Sequence, residues 1–137
     1  MFNFFKKNDS NLDDKKFVFD PELIGCALAY EVAVSDGEID DSELLKIKSE
    51  ILKKSEQLSL NPDEVFKTIE HHNQESVSFN DFINQINDNF LHEQKIQMIE
   101  FLWQTAYADN VLNVDEERLI RRIADMIRIK DMKVLKL

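Results

Sequence analysis

The sequence has few of the residues that interrupt helices or cross-link a chain. Its 137 residues include two glycines, two prolines and a single cysteine, Cys26. One cysteine excludes an internal disulfide, and the place of Cys26 on an apolar helical stripe predicts a small buried side chain. The shortage of glycine and proline, together with a charged fraction of 32%, favours long helices with solvated outer faces.

The chain also lacks a long apolar run and an excess of basic charge. No window approaches the roughly 20 apolar residues that span a bilayer, so we expect no transmembrane segment. The 17 lysine and arginine residues are outnumbered by 27 aspartate and glutamate residues, which gives a formal charge of −10. Because this charge repels phosphate backbones, we expect no nucleic acid among the partners and predict basic surfaces or cations instead.

The first residues do not follow the pattern of a targeting signal. In residues 1–7 three phenylalanines precede two lysines, whereas a signal peptide places its charges first and follows them with a longer apolar stretch. We therefore expect a cytoplasmic protein. The Phe-rich segment has two interpretations: it folds back onto the core, or it contacts a membrane or a partner.

Residue patterns that are typical of enzymes are missing as well. The sequence has no glycine-rich phosphate loop, no nucleophile elbow and no His-Glu-x-x-His motif. Adjacent helical residues point about 100° apart, so His71 and His72 are not expected to share a metal ion. We predict no catalytic residues and a protein that is not an enzyme. An unrecognised hydrolase or nuclease stays an alternative, which would need a buried carboxylate of raised pKa.

The sequence does contain a series of segments in which apolar residues recur at helical spacing and so form a stripe along one side of a helix. Several of these segments follow a helix-capping signal. These signals are Asp20-Pro21, Asp40, Asn61-Pro62 and Asn113. Residues 92–108 form a longer stripe, in which Trp103 is the bulkiest core residue. No segment alternates as a strand does. We predict a flexible lead-in over residues 1–16 and one all-α domain of six to seven helices over residues 17–137.

Two stretches of the sequence are similar to each other, which indicates a duplicated helix–turn–helix unit. Residues 33–43 and 106–116 share an alanine, an aspartate, an apolar residue and a glutamate at the same offsets. Because neither amphipathic hairpin can bury its stripe alone, we expect two pseudo-symmetric helical hairpins that pack together. The shared acidic positions, 73 residues apart in each pair, are Asp36 with Asp109 and Glu43 with Glu116.

The paired motifs resemble those of the tellurite-resistance TerB family, whose related domains also occur beside DnaJ-like co-chaperone domains. The first reads Ala-x-x-Asp-Gly-x-Ile-x-x-x-Glu from Ala33, and the second reads Ala-x-Ala-Asp-x-x-Leu-x-x-x-Glu from Ala106. The resemblance covers residues 20–129. It implies a compact seven-helix domain with an acidic face and a role in stress-response or membrane-linked assemblies. The second motif has Asn110 where the first has Gly37, and asparagine tolerates the same left-handed turn.

The first acidic turn is similar to the second half of an EF-hand loop, but its register is wrong for one. If Glu43 were the bidentate twelfth ligand, the first and third ligands would be Val32 and Val34, which have no side-chain oxygen. The second copy places Thr105 and Tyr107 at those positions. We therefore expect no EF-hand site.

The two turns together predict an acidic face. If they lie side by side, their carboxylates form one patch that attracts a basic protein surface or binds a hard cation weakly. A structural interpretation competes with this one, because several of the same residues suit helix capping. The residues of the predicted face are Asp36, Glu38, Asp40, Glu43, Asp109, Asp115 and Glu116.

These observations predict a non-enzymatic protein-interaction domain that binds a protein partner in a stress-related assembly through the acidic face. The alternative is a weak divalent-cation sensor, with Asp36 and Asp109 as metal ligands, and we expect no other cofactor. The resemblance also allows a peripheral position at the inner membrane. A second candidate surface is a run of arginines on the outer side of one helix: Arg118, Arg121, Arg122 and Arg128.

Overall fold

The computed structural model describes residues 21–35, 37, 39–74, 79–108 and 113–129. These residues form six α-helices and no β-strand, which confirms the predicted all-α class. The predicted lead-in over residues 1–16 and the cap at Asp20 lie outside the described residues. The helices are α1 (Pro21–Ala33), α2 (Asp41–Leu58), α3 (Pro62–Gln74), α4 (Phe79–Asn89), α5 (His92–Ala106) and α6 (Val114–Met126).

Three helices begin at side-chain caps that the sequence predicted. Before α2, Asp40 accepts a hydrogen bond of 3.2 Å from the amide two residues later. Before α3 and α6, Asn61 and Asn113 each accept hydrogen bonds from the amides two and three residues later, at 2.8–3.2 Å. Each cap satisfies amides that the first helical turn leaves without a partner. The position of each cap therefore determines where its helix starts.

After three of the helices comes a residue whose backbone has the left-handed conformation, with a positive φ. Gly37, in the turn after α1, has a φ of 97°, as predicted. Ser59 after α2 and Arg128 after α6 have φ values of 60° and 69°, although neither is glycine. In both cases the next amide donates a hydrogen bond of 2.9 Å to the carbonyl five residues earlier. This is the Schellman arrangement, which satisfies carbonyls at the helix end.

Helix α1 lies at the centre of the core and packs against each of the other five described helices. The consecutive residues 26–29 are all buried, and they point in successive directions about 100° apart, so more than one side of α1 is covered. The predictions that Cys26 and Trp103 are buried are confirmed. The α1 side chains that are no more than 2% exposed are Leu23, Ile24, Cys26, Ala27, Leu28, Ala29, Val32 and Ala33.

The packing of the helices reproduces the repeat that the sequence shows. The hairpins α1–α2 and α5–α6 meet through α1 and α5, while α2 also packs against α5 and α6 against α1. Exchanging the two hairpins reproduces the same set of contacts, as a pseudo-twofold arrangement requires. Gly25 and Met98, which are equivalent positions of the repeat, meet between α1 and α5. The Met98 Cγ lies 3.3 Å from the place that a Cβ on Gly25 would occupy.

Some predicted details differ from the structure. An apolar residue next to the stripe of α2 would be expected to face inward, yet Leu52 is 48% exposed, because the buried side of α2 follows residues four apart, such as Ile47 and Ile51. Helix α5 ends at Ala106, two residues before the predicted Ala108. None of the helices in the described part of the chain is long and apolar enough to cross a membrane.

Candidate functional site

The predicted acidic face is only partly described by the structure. Asp36, Glu38 and Asp109 lie outside the described residues. The remaining members belong to the starts of two helices, Asp40 and Glu43 to α2 and Asp115 and Glu116 to α6. The site is therefore built from these two helix starts, which occupy equivalent places in the repeat.

At each helix start one predicted carboxylate is exposed. Asp40 is exposed while its side chain caps α2. Asp115 is exposed in the first turn of α6 and lies 4.0 Å from the guanidinium of Arg118, an ion pair in which both side chains are largely in water. A pair of this kind contributes little to stability, so Asp115 stays available to another cation. Both carboxylates lie near a helix N-terminus, where the macrodipole favours negative charge.

The other predicted carboxylate at each start is buried. Glu43 is 4% exposed and Glu116 is 3% exposed. The prediction had placed both on a solvated face, and the structure places them inside instead. The reason lies in the helical stripe, because Glu43 precedes Ile47 by four residues and Glu116 precedes Ile120 by four, so each shares the buried side of its helix. This spacing was present in the sequence and could have revealed their burial.

The burial of Glu43 and Glu116 also matches across the repeat. Two equivalent positions, 73 residues apart, carry the same side chain in the same kind of environment. A buried carboxylate in a first helical turn is stabilised by the amide end of the helix dipole. We interpret both glutamates as structural parts of the turns, which position the exposed carboxylates around them.

Two positions at which an EF-hand would need ligands lie within helices. Val32 is a buried residue within α1, and the Thr105 hydroxyl, within α5, donates a hydrogen bond of 2.9 Å to the carbonyl of Phe101. Both positions are thus occupied by helix rather than by a metal-binding loop. Among the described residues, no group of three or more His, Cys, Asp or Glu side chains is arranged to hold a metal ion.

Exposed apolar side chains flank the same helix starts, a feature that the sequence analysis missed. Leu45 in α2 is 68% exposed, and Val114, the first residue of α6, is 60% exposed. Tyr107 is also exposed, at 37%, but it lies directly after the end of α5 and not at a helix start. The signal in the sequence that could have indicated these exposed side chains was the presence of large apolar residues close to the turns. Their exposure adds apolar area to the acidic helix starts.

The two histidines of α3 have different environments, as their adjacent positions predict. His71 is exposed, whereas His72 is 4% exposed and stacks on Phe82 with ring centroids 4.7 Å apart. Burial lowers the pKa of His72 to about 4, and the nearby charge of Asp81 opposes that shift.

The arginine surface is exposed, as predicted, at all four of its positions. Arg121 is engaged locally, with its guanidinium 3.0 Å from a Glu117 carboxylate oxygen and 5.5 Å from the Trp103 ring centroid. The two contacts combine an i,i+4 ion pair with a cation–π interaction. Arg121 therefore belongs partly to the packing of α6 on α5.

These observations define a class of protein: a duplicated all-helical domain in which an acidic helix start follows the turn of each hairpin. A family model described as "Tellurite resistance protein TerB" matches residues 22–137, which is most of the chain. The chain belongs to the TerB family, and the resemblance seen in its paired motifs is thereby confirmed. Searches of curated proteins and of solved structures found no match.

Proposed function

We propose that this protein is a non-enzymatic interaction domain that binds a basic surface of a protein partner through the starts of α2 and α6. One observation carries the proposal. Each start carries an exposed carboxylate and an exposed large apolar side chain: Asp41 and Leu45 are four residues apart in α2, and Val114 and Asp115 are consecutive in α6. We propose that the predicted residues Asp36, Glu38 and Asp109, which lie outside the described residues, also take part in binding the partner.

This combination suits protein docking for two physical reasons. Asp41 and Leu45 are four residues apart in a helix and are therefore neighbours on its surface. Apolar side chains supply the area that a partner desolvates, while carboxylates around them orient a basic partner and speed its approach. The formal charge of −10 adds long-range attraction for a basic surface.

Family membership supports placing the partner in a stress-response assembly related to tellurite resistance. We propose that the domain acts in the cytoplasm, with a peripheral position at the inner membrane where its assembly is membrane-linked. In this role the protein supplies a surface and no catalytic group.

The experiment has two stages. A photo-crosslinking amino acid in place of Val114 or Leu45 identifies the partner in cells, and the purified partner is then titrated against variants. The variant Asp41→Lys/Asp115→Lys is expected to weaken binding about tenfold or more and to reduce its salt dependence. The matched control, Asp88→Lys/Glu100→Lys, makes the same change in net charge at exposed positions of α4 and α5. Equal weakening by both variants would show a general charge effect and would contradict the proposed face.

The alternative function, a weak divalent-cation sensor at Asp36 and Asp109, makes a different prediction. Binding of calcium to the folded state alone would raise the melting temperature by several degrees at sub-millimolar concentration, and Asp36→Asn/Asp109→Asn would abolish the rise. A melting temperature that does not respond to calcium favours the protein-interaction function.

A further inference from the structure

Helix α2 carries two exposed leucines that do not contribute to the core. Leu45 is 68% exposed and Leu52 is 48% exposed. They are seven residues apart, which is about two helical turns or 10.5 Å, so they lie on the same side of the helix. Ile47 and Ile51 belong to the buried side of α2, which lies opposite. The leucines therefore form an apolar surface that the domain itself leaves open.

An exposed carboxylate lies at each end of this apolar surface. Asp41 precedes Leu45 by four residues and Glu56 follows Leu52 by four residues, so each acid is a surface neighbour of a leucine. The two acids are separated by about 22 Å along the helix. We call these four residues the outer row of α2. Its order along the helix is acid, leucine, leucine, acid.

We propose that the outer row binds an amphipathic helix of a partner protein, with two large apolar residues against Leu45 and Leu52 and basic residues against Asp41 and Glu56. This inference rests on the proposed function and names the form of the partner at one of the two helix starts. Apolar residues that recur seven apart on one side of a helix are those that pack against a second helix. The partner's basic residues pair with the two acids and so set its position along α2.

The charges of the outer row favour such a partner over a second copy of this chain. In an antiparallel pair of α2 helices with Leu45 against Leu52, Asp41 of each copy would lie opposite Glu56 of the other. In a parallel pair in register, each acid would lie opposite itself. Like charges across an interface oppose association, whereas lysine or arginine at these places attracts the acids.

A row of lysines beside the outer row makes the contact directional. Each exposed leucine is followed by an exposed lysine, Lys46 after Leu45 and Lys53 after Leu52, about 100° further around α2. Lys48, towards the other edge, has its ammonium group 4.8 Å from the centroid of the Phe66 ring in α3. The exposed lysine pair therefore lies along one edge of the outer row. A partner helix whose acidic residues run along the matching edge binds in one direction only.

Titration of the full chain with two synthetic helical peptides tests the proposal. Both peptides carry two leucines seven residues apart and a charged residue four positions outside each leucine. This charged residue is lysine in the first peptide and glutamate in the second. We expect the lysine peptide to bind at least about tenfold more tightly and to shift the amide resonances of α2 around Leu45 and Leu52.

Substitutions at exposed positions separate the outer row from the rest of the surface. Leu52→Gln should weaken binding of the lysine peptide about tenfold, because less apolar area is desolvated. The matched control is Leu91→Gln before α5, where the leucine is 71% exposed, and it should leave the affinity unchanged. Glu56→Lys should also weaken binding, whereas Glu100→Lys at an exposed position of α5 should not.

Several results would overturn the proposal. Neither peptide could shift a resonance of α2 at about 1 mM, or both could bind equally well. The substitutions in the outer row and their controls could have equal effects. A dimer of the free chain that Leu52→Gln dissociates, measured by sedimentation, would assign the outer row to a second copy instead.

The partner identified by photo-crosslinking distinguishes this inference from the proposed function. Binding of that partner could be weakened by Asp41→Lys/Asp115→Lys and unaffected by Leu52→Gln and Glu56→Lys. The proposed function would then stand, and the helix on the outer row would be wrong. Weakening by all of these variants supports both.

Discussion

The Lys95 ammonium group donates a hydrogen bond of 3.2 Å to the carbonyl of Ile127, and so joins the start of α5 to the end of α6. The same group donates to the Asn87 side-chain oxygen at 3.0 Å, and the Asn87 amide donates to the Met126 carbonyl at 3.2 Å. A cation at a helix C-terminus satisfies carbonyls that lack helical partners and complements the macrodipole. One lysine thereby links α4, α5 and α6.

We expect Lys95→Met to lower the free energy of unfolding by about 1–2 kcal/mol, because it removes charge-assisted hydrogen bonds and keeps most of the aliphatic stem. Urea unfolding measures the change. The exposed Lys67 of α3 provides the control, and Lys67→Met is expected to stay within about 0.5 kcal/mol of the wild type. Equal effects of the two substitutions would show that the contacts of Lys95 do not stabilise the end of α6.

The buried glutamates predict a second result. We expect Glu43→Ala and Glu116→Ala each to lower the free energy of unfolding by about 1–3 kcal/mol, because each removes a buried side chain near a helix N-terminus and leaves a cavity. Urea unfolding is again the measurement, with Glu56→Ala and Glu100→Ala as exposed controls. If Glu43 and Glu116 behaved like the exposed pair, their interpretation as structural parts of the turns would be wrong.

The left-handed conformation of Ser59 predicts that a serine-to-glycine substitution changes stability in opposite directions at Ser59, which follows α2, and at Ser49, inside α2. Ser59→Gly is expected to stabilise by about 0.5–1 kcal/mol, because glycine adopts a φ of 60° without the strain of a side chain. Ser49→Gly, at an exposed position inside α2, is expected to destabilise by about 0.5 kcal/mol through helix propensity. Thermal or urea unfolding of both variants checks the signs, and a destabilised Ser59→Gly would contradict the assigned backbone conformation.

The burial of His72 predicts a loss of stability in acid. Burial lowers its pKa in the folded protein to about 4, from an ordinary value of 6.5. Between these values the unfolded chain binds the proton more readily than the folded chain, so the free energy of unfolding falls as pH drops from about 6.5 to about 4. Above pH 6.5 protonation of His72 does not reduce the free energy of unfolding. By pH 4 the reduction that His72 contributes amounts to about 2–3 kcal/mol.

Measurement of unfolding free energies at several pH values tests this dependence. His72→Phe, whose ring can stack on Phe82, is expected to lose that part of the slope between pH 6.5 and 4, whatever its absolute stability. His71→Phe, at the exposed neighbouring position, should keep the wild-type slope. An unchanged slope in His72→Phe would show that another group causes the acid sensitivity.

The sequence predicted the fold more completely than it predicted the candidate site. The caps at Asp40 and Asn113 were readable because each acts on amides two or three residues away. The predicted exposure of Glu43 and Glu116 was wrong, since capping patterns describe a helix start alone and take no account of the helices packed against it. Leu52 shows the same limit, because an apolar residue next to a stripe does not reveal how far a neighbouring helix covers it.

The amino-acid sequence by itself determined the all-helical class, three helix starts, the duplication and the membership of the TerB family. These properties depend on periodicity and on hydrogen bonds between residues close in the chain. Only the tertiary structure decided that Glu43, Glu116 and His72 are buried, that Leu45 and Val114 are exposed, and that Gly25 and Met98 border a pocket. Burial depends on which helices meet and at what distance, and those contacts join residues far apart in the chain.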